Sequence, residues 1–142
     1  MENNWEHYFS NPNYLRPAII YQLGKFLYTK YPSMQIDFLD PKLRKLCEIS
    51  REAEKKLGSN CARKLRSRLS DLEAVAHVRE LNAGRPHPLE RDRLGQFALD
   101  LADGKRLVFK PDHEPVPQDT DGNIDWSQIT AITIIYIGDY HD

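Results

Sequence analysis

Polar and apolar residues alternate over Met34-Gln35-Ile36-Asp37-Phe38-Leu39, which predicts a first strand with one buried face. Apolar positions then recur at intervals of three and four. Leu43, Leu46, Cys47, Ala53 and Leu57 form one stripe, opened by Asp40-Pro41 as N-cap and first-turn proline and closed by Gly58. Ser59-Asn60 opens a second helix whose stripe is Ala62, Leu65, Leu69, Leu72 and Ala76. A short turn between two such helices predicts an antiparallel hairpin. Period two returns at 95–101, and Asp103-Gly104 is a hairpin turn leading to Arg106-Leu107-Val108-Phe109. The β-branched run at 131–137 predicts a final buried strand. The order β, α, α, β, β, β is that of an α+β domain: an N-terminal strand and a two-helix hairpin packed on a small, mainly antiparallel sheet.

Two stretches stand apart. Residues 1–33 read as an extension, with a helix over 13–31 that carries Leu15, Ile19, Leu23, Phe26 and Leu27 on one face. Met34 is then a candidate start for the functional domain, 34–142. Residues 110–128, with three prolines, several acids and Asp121-Gly122, read as an acidic surface loop.

Composition narrows the class. The chain has 142 residues, is 40% hydrophobic and carries a net charge of −1, the profile of one ordinary folded domain. No apolar run is long enough to cross a bilayer, and the first residues show no secretory signal. Cys47 and Cys61 match no metal spacing and are expected to be reduced and half-buried in a cytoplasmic protein. Charge is uneven: 40–93 holds 14 Lys or Arg against 9 Asp or Glu, and 94–142 holds 3 against 9. The basic half suits a polyanion, although solvated helix faces produce the same pattern.

The chemistry-bearing side chains gather in the second half, at strand ends: His87, Arg91, Arg93, Arg106, Asp139, Tyr140 and His141. No Ser or Cys stands in a nucleophile context, and there is no Gly-rich phosphate loop. The set suits phosphodiester cleavage by a substrate's own 2′-hydroxyl. That reaction needs a base for the hydroxyl, an acid for the leaving 5′-oxygen and a cation over the phosphate. Asp139 and the imidazoles offer base and acid, Arg106 offers a fork for two phosphate oxygens, and Tyr140 offers a stacking ring. His87, His141 and Asp139 are alternatively a metal-ligand set. Solvent-facing or ion-paired side chains at strand ends are the plain alternative to both.

Three features carry a family resemblance. They are the block His-Pro-Leu-x-x-Asp-Arg-x-Gly-Gln-aromatic at 87–97, the return strand through Arg106-Leu107-x-Phe109, and the terminal Asp139-Tyr140-His141. From Met34 on, the chain resembles the HigB branch of the RelE/ParE toxin superfamily, the plasmid maintenance killer proteins of toxin–antitoxin pairs; the first 33 residues fall outside the likeness. The resemblance implies a RelE-like fold and a ribosome-dependent mRNA endonuclease that works in the ribosomal A site and needs no metal or other cofactor. It implies a HigA-like helix-turn-helix antitoxin as partner, with operator DNA contacted only through that complex, and no membrane. Carried over by position, His87, Arg106, Asp139, Tyr140 and His141 are the active-site residues. Arg63, Lys64, Arg66 and Arg68 on the second helix, with Arg91 and Arg93, are the expected RNA contacts.

The chain departs from the family at Glu90, where Lys is usual, at Arg91, where Gly is usual, and at Phe97 and Ala98, which stand for Trp and Ser. Two other functions share the resemblance: a ParE-type poison of DNA gyrase that cuts no RNA, and an inactive homologue that only binds its antitoxin. The histidines favour the nuclease, since a binding poison has no need of them.

Overall fold

Asp40 starts the helical layer as expected. Its backbone is extended, its carboxylate accepts from the Leu43 N–H at 2.9 Å, and Pro41 takes the first helical position. The computed structural model describes residues 33–139; the helix expected over 13–31 and the positions Tyr140, His141 and Asp142 lie outside them. Strand β1 (Gln35–Phe38) is followed by α1 (Pro41–Glu48), α2 (Ser50–Leu57) and α3 (Ser59–Ala74). Strands β2 (His87–Pro88), β3 (Phe97–Asp100), β4 (Arg106–Pro111) and β5 (Ala131–Gly138) complete the domain. The sheet order is β1-β5-β4-β3-β2, with β1 parallel to β5 and the other pairs antiparallel. The described residues form an α+β domain with a five-stranded mixed sheet and three α-helices.

The first apolar stripe belongs to two helices, not one. Ile49 adopts φ −116° and ψ 105° and separates α1 from α2. Its N–H still reaches Lys45 O at 2.9 Å and its carbonyl still accepts from Ala53 at 3.2 Å, so both backbone groups of Ile49 stay paired at the break. It has a packing reason: α1 lies against β1 and β5, while α2 lies against α3. A straight helix cannot serve both surfaces. Gly58, at φ +86°, then makes the sharp turn into α3. The second stripe buries Cys61, Ala62, Leu65, Leu69 and Leu72, but the helix ends before Ala76. His77 therefore lies beyond it, with Nε2 3.2 Å from Glu80.

All three helices cover one face of the sheet. Ile36, Phe38, Phe97, Leu99, Leu107, Phe109, Ile132, Ile134 and Ile137 point toward them and join the main core, in which Met34 is fully buried. The opposite face carries only a small apolar cluster of Leu89, Ala98 and Val108, flanked by Ile135 and Tyr136. A bulge decides which residues of β5 face which way. Val108 lies opposite Tyr136, but Phe109 lies opposite Ile134, so Ile135 is the extra residue. The final run is thus not buried evenly: Ile134 and Ile137 face the helices, and Tyr136 is turned to the open side.

The acidic segment 110–128 is more than a surface loop. Trp126 is buried in it, with its ring 4.8 Å from that of Phe97, and Val116 and Ile124 pack against the main core. His113 Nε2 accepts from the Thr130 and Ala131 N–H groups at 3.0 and 3.2 Å, fastening the loop to the start of β5. Both cysteines are free, but Cys61 is fully buried, and only Cys47 is half-buried. Burial, reinforced by the charge of Glu48, pushes the Cys47 thiol up to about 12, which leaves it protonated and unreactive at neutral pH. Among the described residues, no helix is long and apolar enough to cross a membrane.

Burial also raises the carboxyl of Glu73, on α3, from 4.5 to about 7. An acid raised in this way binds more protons folded than unfolded. Its contribution to stability is full below about pH 4.5 and is lost as pH climbs through about 7. Glu73→Gln is expected to abolish that decline. The gain near pH 8 is on the order of 1 kcal/mol, since the carboxyl keeps part of its contact with water. Thermal unfolding of both proteins near pH 5 and pH 8 checks it: the variant's advantage should appear only at the higher pH.

Candidate functional site

The open face of the sheet carries the chemistry, in two adjacent rows set by strand register. In one row His87 lies opposite Ala98, Ala98 opposite Val108, and Val108 opposite Tyr136. In the next, Asp100 lies opposite Arg106 and Arg106 opposite Gly138, directly before Asp139. Residues opposite one another share a face, so His87, Asp100, Arg106 and Tyr136 all look to the same side. His87 and Arg106 are two strands and two residues apart, about 12 Å between Cα atoms.

The turn before β2 holds His87. Gly84 (φ +81°) and Arg85 (φ +46°) both occupy the left-handed region. Gly84 O accepts from the Asp100 N–H at 2.6 Å, tying this turn to the end of β3. Arg68 packs its stem against Gly84, where a Cβ would meet Arg68 Cδ at 2.8 Å; only glycine fits. His87 Nδ1 lies 2.7 Å from Arg85 O. A carbonyl oxygen can only accept, so Nδ1 carries the hydrogen, and the neutral ring presents Nε2 as its basic nitrogen.

Asp100 stands between two arginines. Arg85 Nε donates to Oδ2 at 2.9 Å, and Arg106 Nε lies 3.3 Å from Oδ1. Asp139 lies beside the β3–β4 turn: a Cβ on Gly104 would be 4.0 Å from both of its carboxylate oxygens. Tyr136 folds back over Gly138 and donates its hydroxyl to Asp139 O at 2.8 Å. A Cβ on Gly138 would sit 2.9 Å from that hydroxyl oxygen, so a side chain there would displace the ring. The Arg93 guanidinium lies 5.2 Å from the centroid of the Tyr136 ring, and Arg93 Nη1 donates to Gln96 at 3.1 Å.

The expected site residues thus fall into groups. His87, Arg106 and Asp139 lie toward one end of the open face, on or just after three different strands, and Arg93 lies against Tyr136; Tyr140 and His141 lie outside the described residues. Arg91 sits with Arg93 on a short 3-10 turn (Arg91–Arg93) and is exposed. Arg63, Lys64, Arg66 and Arg68 belong to α3, on the opposite side of the sheet. Arg63 bonds Asn60, and Arg66 bonds Ser50. Arg68 is 3.1 Å from Asp71 with its side chain 13% exposed, and it supports the Gly84 turn. Of these four, Arg68 is the one that reaches the turn before His87, while Arg63 and Arg66 bond within the helical layer.

Sequence reasoning missed Asp100, Arg85 and Tyr136. Asp100 was missed because a two-residue turn at Asp103-Gly104 sets position 100 against 107, whereas the turn as it folds, with the Leu101 N–H bonded to Lys105 O at 2.8 Å, sets it against Arg106. Tyr136 depends on the bulge and Arg85 on the fold of its turn, and neither leaves a local signal. A cavity of about 590 Å³ beside β2, lined by Arg79, Glu90, Leu94, Asp119, Ile124 and Trp126, excludes all of these residues. Among the described residues, no group of three or more His, Cys, Asp or Glu is arranged to hold a metal ion.

No family model matches the chain, and no curated protein matches it. Several solved structures are similar in shape, two toxins among them. A YoeB/ParE toxin from Agrobacterium tumefaciens is 12% identical over 76% of this chain and 100% of its own length, with a TM-score of 0.48. A YoeB–YefM complex from Staphylococcus aureus is 15% identical over 77% of this chain and 98% of the matched chain, with a TM-score of 0.45.

Proposed function

We propose that this chain is the toxin of a toxin–antitoxin pair, of HigB type, and acts as a ribosome-dependent mRNA endonuclease in the cytoplasm. The observation that carries the reading is the shared face of His87 and Arg106, with Nε2 as the basic nitrogen of the imidazole. The block at 87–97 and the Asp139-Tyr140-His141 motif support it from the sequence.

In the proposed reaction, one imidazole takes the proton of the 2′-hydroxyl, whose oxygen attacks the adjacent phosphorus. The P–O5′ bond breaks, and the second proton-transfer group protonates the departing 5′-oxygen. His87 and His141 are the proposed pair. Arg106 meets the negative charge that grows on the phosphate oxygens, Asp139 orients the tail residues, and Tyr140 stacks on a splayed base. A HigA-like antitoxin would neutralise the protein.

The test is 5′-end mapping of a defined mRNA incubated with the protein, with and without programmed ribosomes, beside a truncation before His141. Cuts that need ribosomes and vanish in the truncation are the expected result. Intact message in every lane would overturn the nuclease and turn attention to gyrase inhibition.

A further inference from the structure

A second cation stands next to Arg106, in a turn that carried no expectation. Arg85 reaches Asp100 from the opposite side of the carboxylate, so one anion is shared between two guanidinium groups. Arg85 spends only its Nε–H on Asp100. Its side chain is 64% exposed, and among the described residues no other contact engages its Nη groups. These two nitrogens form a planar fork of the kind that grips phosphate oxygens.

The backbone that carries the fork is also held in place. The Arg85 backbone is confined to the left-handed region at φ +46°, its carbonyl is fixed by His87 Nδ1, and the neighbouring Gly84 O is bonded to the Asp100 N–H. Strained backbone of this kind persists where its surroundings over-determine it, commonly at binding sites. A surface arginine with no role would gain nothing from such fixing.

We propose that Arg85 is a second phosphate contact of the site, paired with Arg106 through the two oxygens of Asp100. It would hold a backbone phosphate next to the one being cleaved, so that single-stranded RNA crosses the sheet end in one register. The proposal rests on the reading of His87 and Arg106 as an RNA site.

The experiment uses the full chain and a short single-stranded 2′-O-methyl RNA, which lacks the attacking hydroxyl and cannot be cut. Affinity is followed by fluorescence anisotropy between about 50 and 200 mM salt. Loss of one phosphate contact should lower the slope of log affinity on log salt by about 0.7 for a single strand. Arg85→Gln is expected to show that drop, with affinity falling roughly tenfold at the low-salt end. Arg85→Lys should keep the slope, which a purely structural role for the turn would not predict. If Arg106→Gln weakens binding and Arg85→Gln does not, the second contact is overturned while the site stands. If neither changes the slope, or the wild-type protein does not bind, the proposal fails together with the anion-binding role of Arg106.

Discussion

Phe109→Ala is expected to destabilise the domain by about 3–5 kcal/mol, enough to leave most small domains only marginally folded. Phe109 is fully buried at the centre of β4 and stacks on Phe97 with ring centroids 5.4 Å apart. Phe97 in turn contacts Trp126. Removing the ring opens a cavity bordered by strands on both sides, where β3 and β5 are fixed by their ladders and cannot collapse inward. The effect should also spread, since Trp126 is one of the residues that anchor the 110–128 segment to the core. Urea unfolding of the two proteins measures it. A loss under about 1 kcal/mol would mean that the aromatic cluster is far more plastic than close packing allows.

His87→Asn should slow cleavage of ribosome-bound message by about 10²–10⁴-fold while leaving the fold intact. The substitution is chosen for its geometry. The Asn amide can still donate to Arg85 O in place of Nδ1–H, which keeps the Gly84–Arg85 turn closed, but nothing replaces Nε2. The loss should therefore fall on kcat and leave KM near the wild-type value. Single-turnover cleavage, with thermal unfolding as the control, separates the two. A variant that cuts within about threefold of wild type would remove His87 from the proton-transfer pair.

Local patterns carried much of the architecture. Asp40-Pro41, Gly58 and Asp103-Gly104 each act through their own backbone preferences, so the helix starts and the hairpin were legible in the sequence. What escaped depends on distant partners. Ile49 breaks a continuous stripe because two helices need different surfaces, and His87-Pro88 becomes a strand only through its pairing with β3. The β5 bulge is invisible in a run of isoleucines, since any of them fits either face. At the site, His87, Arg106 and Asp139 stood out by residue type. The Arg85–Asp100 pair did not, because residues 15 apart meet only through the folded turn.

The parallel pairing of β1 with β5 has a consequence in time. Its partners, Gln35 with Ala131 and Phe38 with Ile134, lie ~100 residues apart in the chain. At roughly 5–20 residues per second, synthesis of the intervening stretch takes roughly 5–20 s. Throughout that interval β1 has no neighbour in the sheet, and Gly138 and Asp139 are not yet beside Arg106. The helices and the β3–β4 hairpin rest on short-range contacts and can form early, whereas the Arg106 row waits for β5. The part of the molecule that we assign to cutting message is thus the last to be assembled, and a partly made chain has no finished site to turn on its own template.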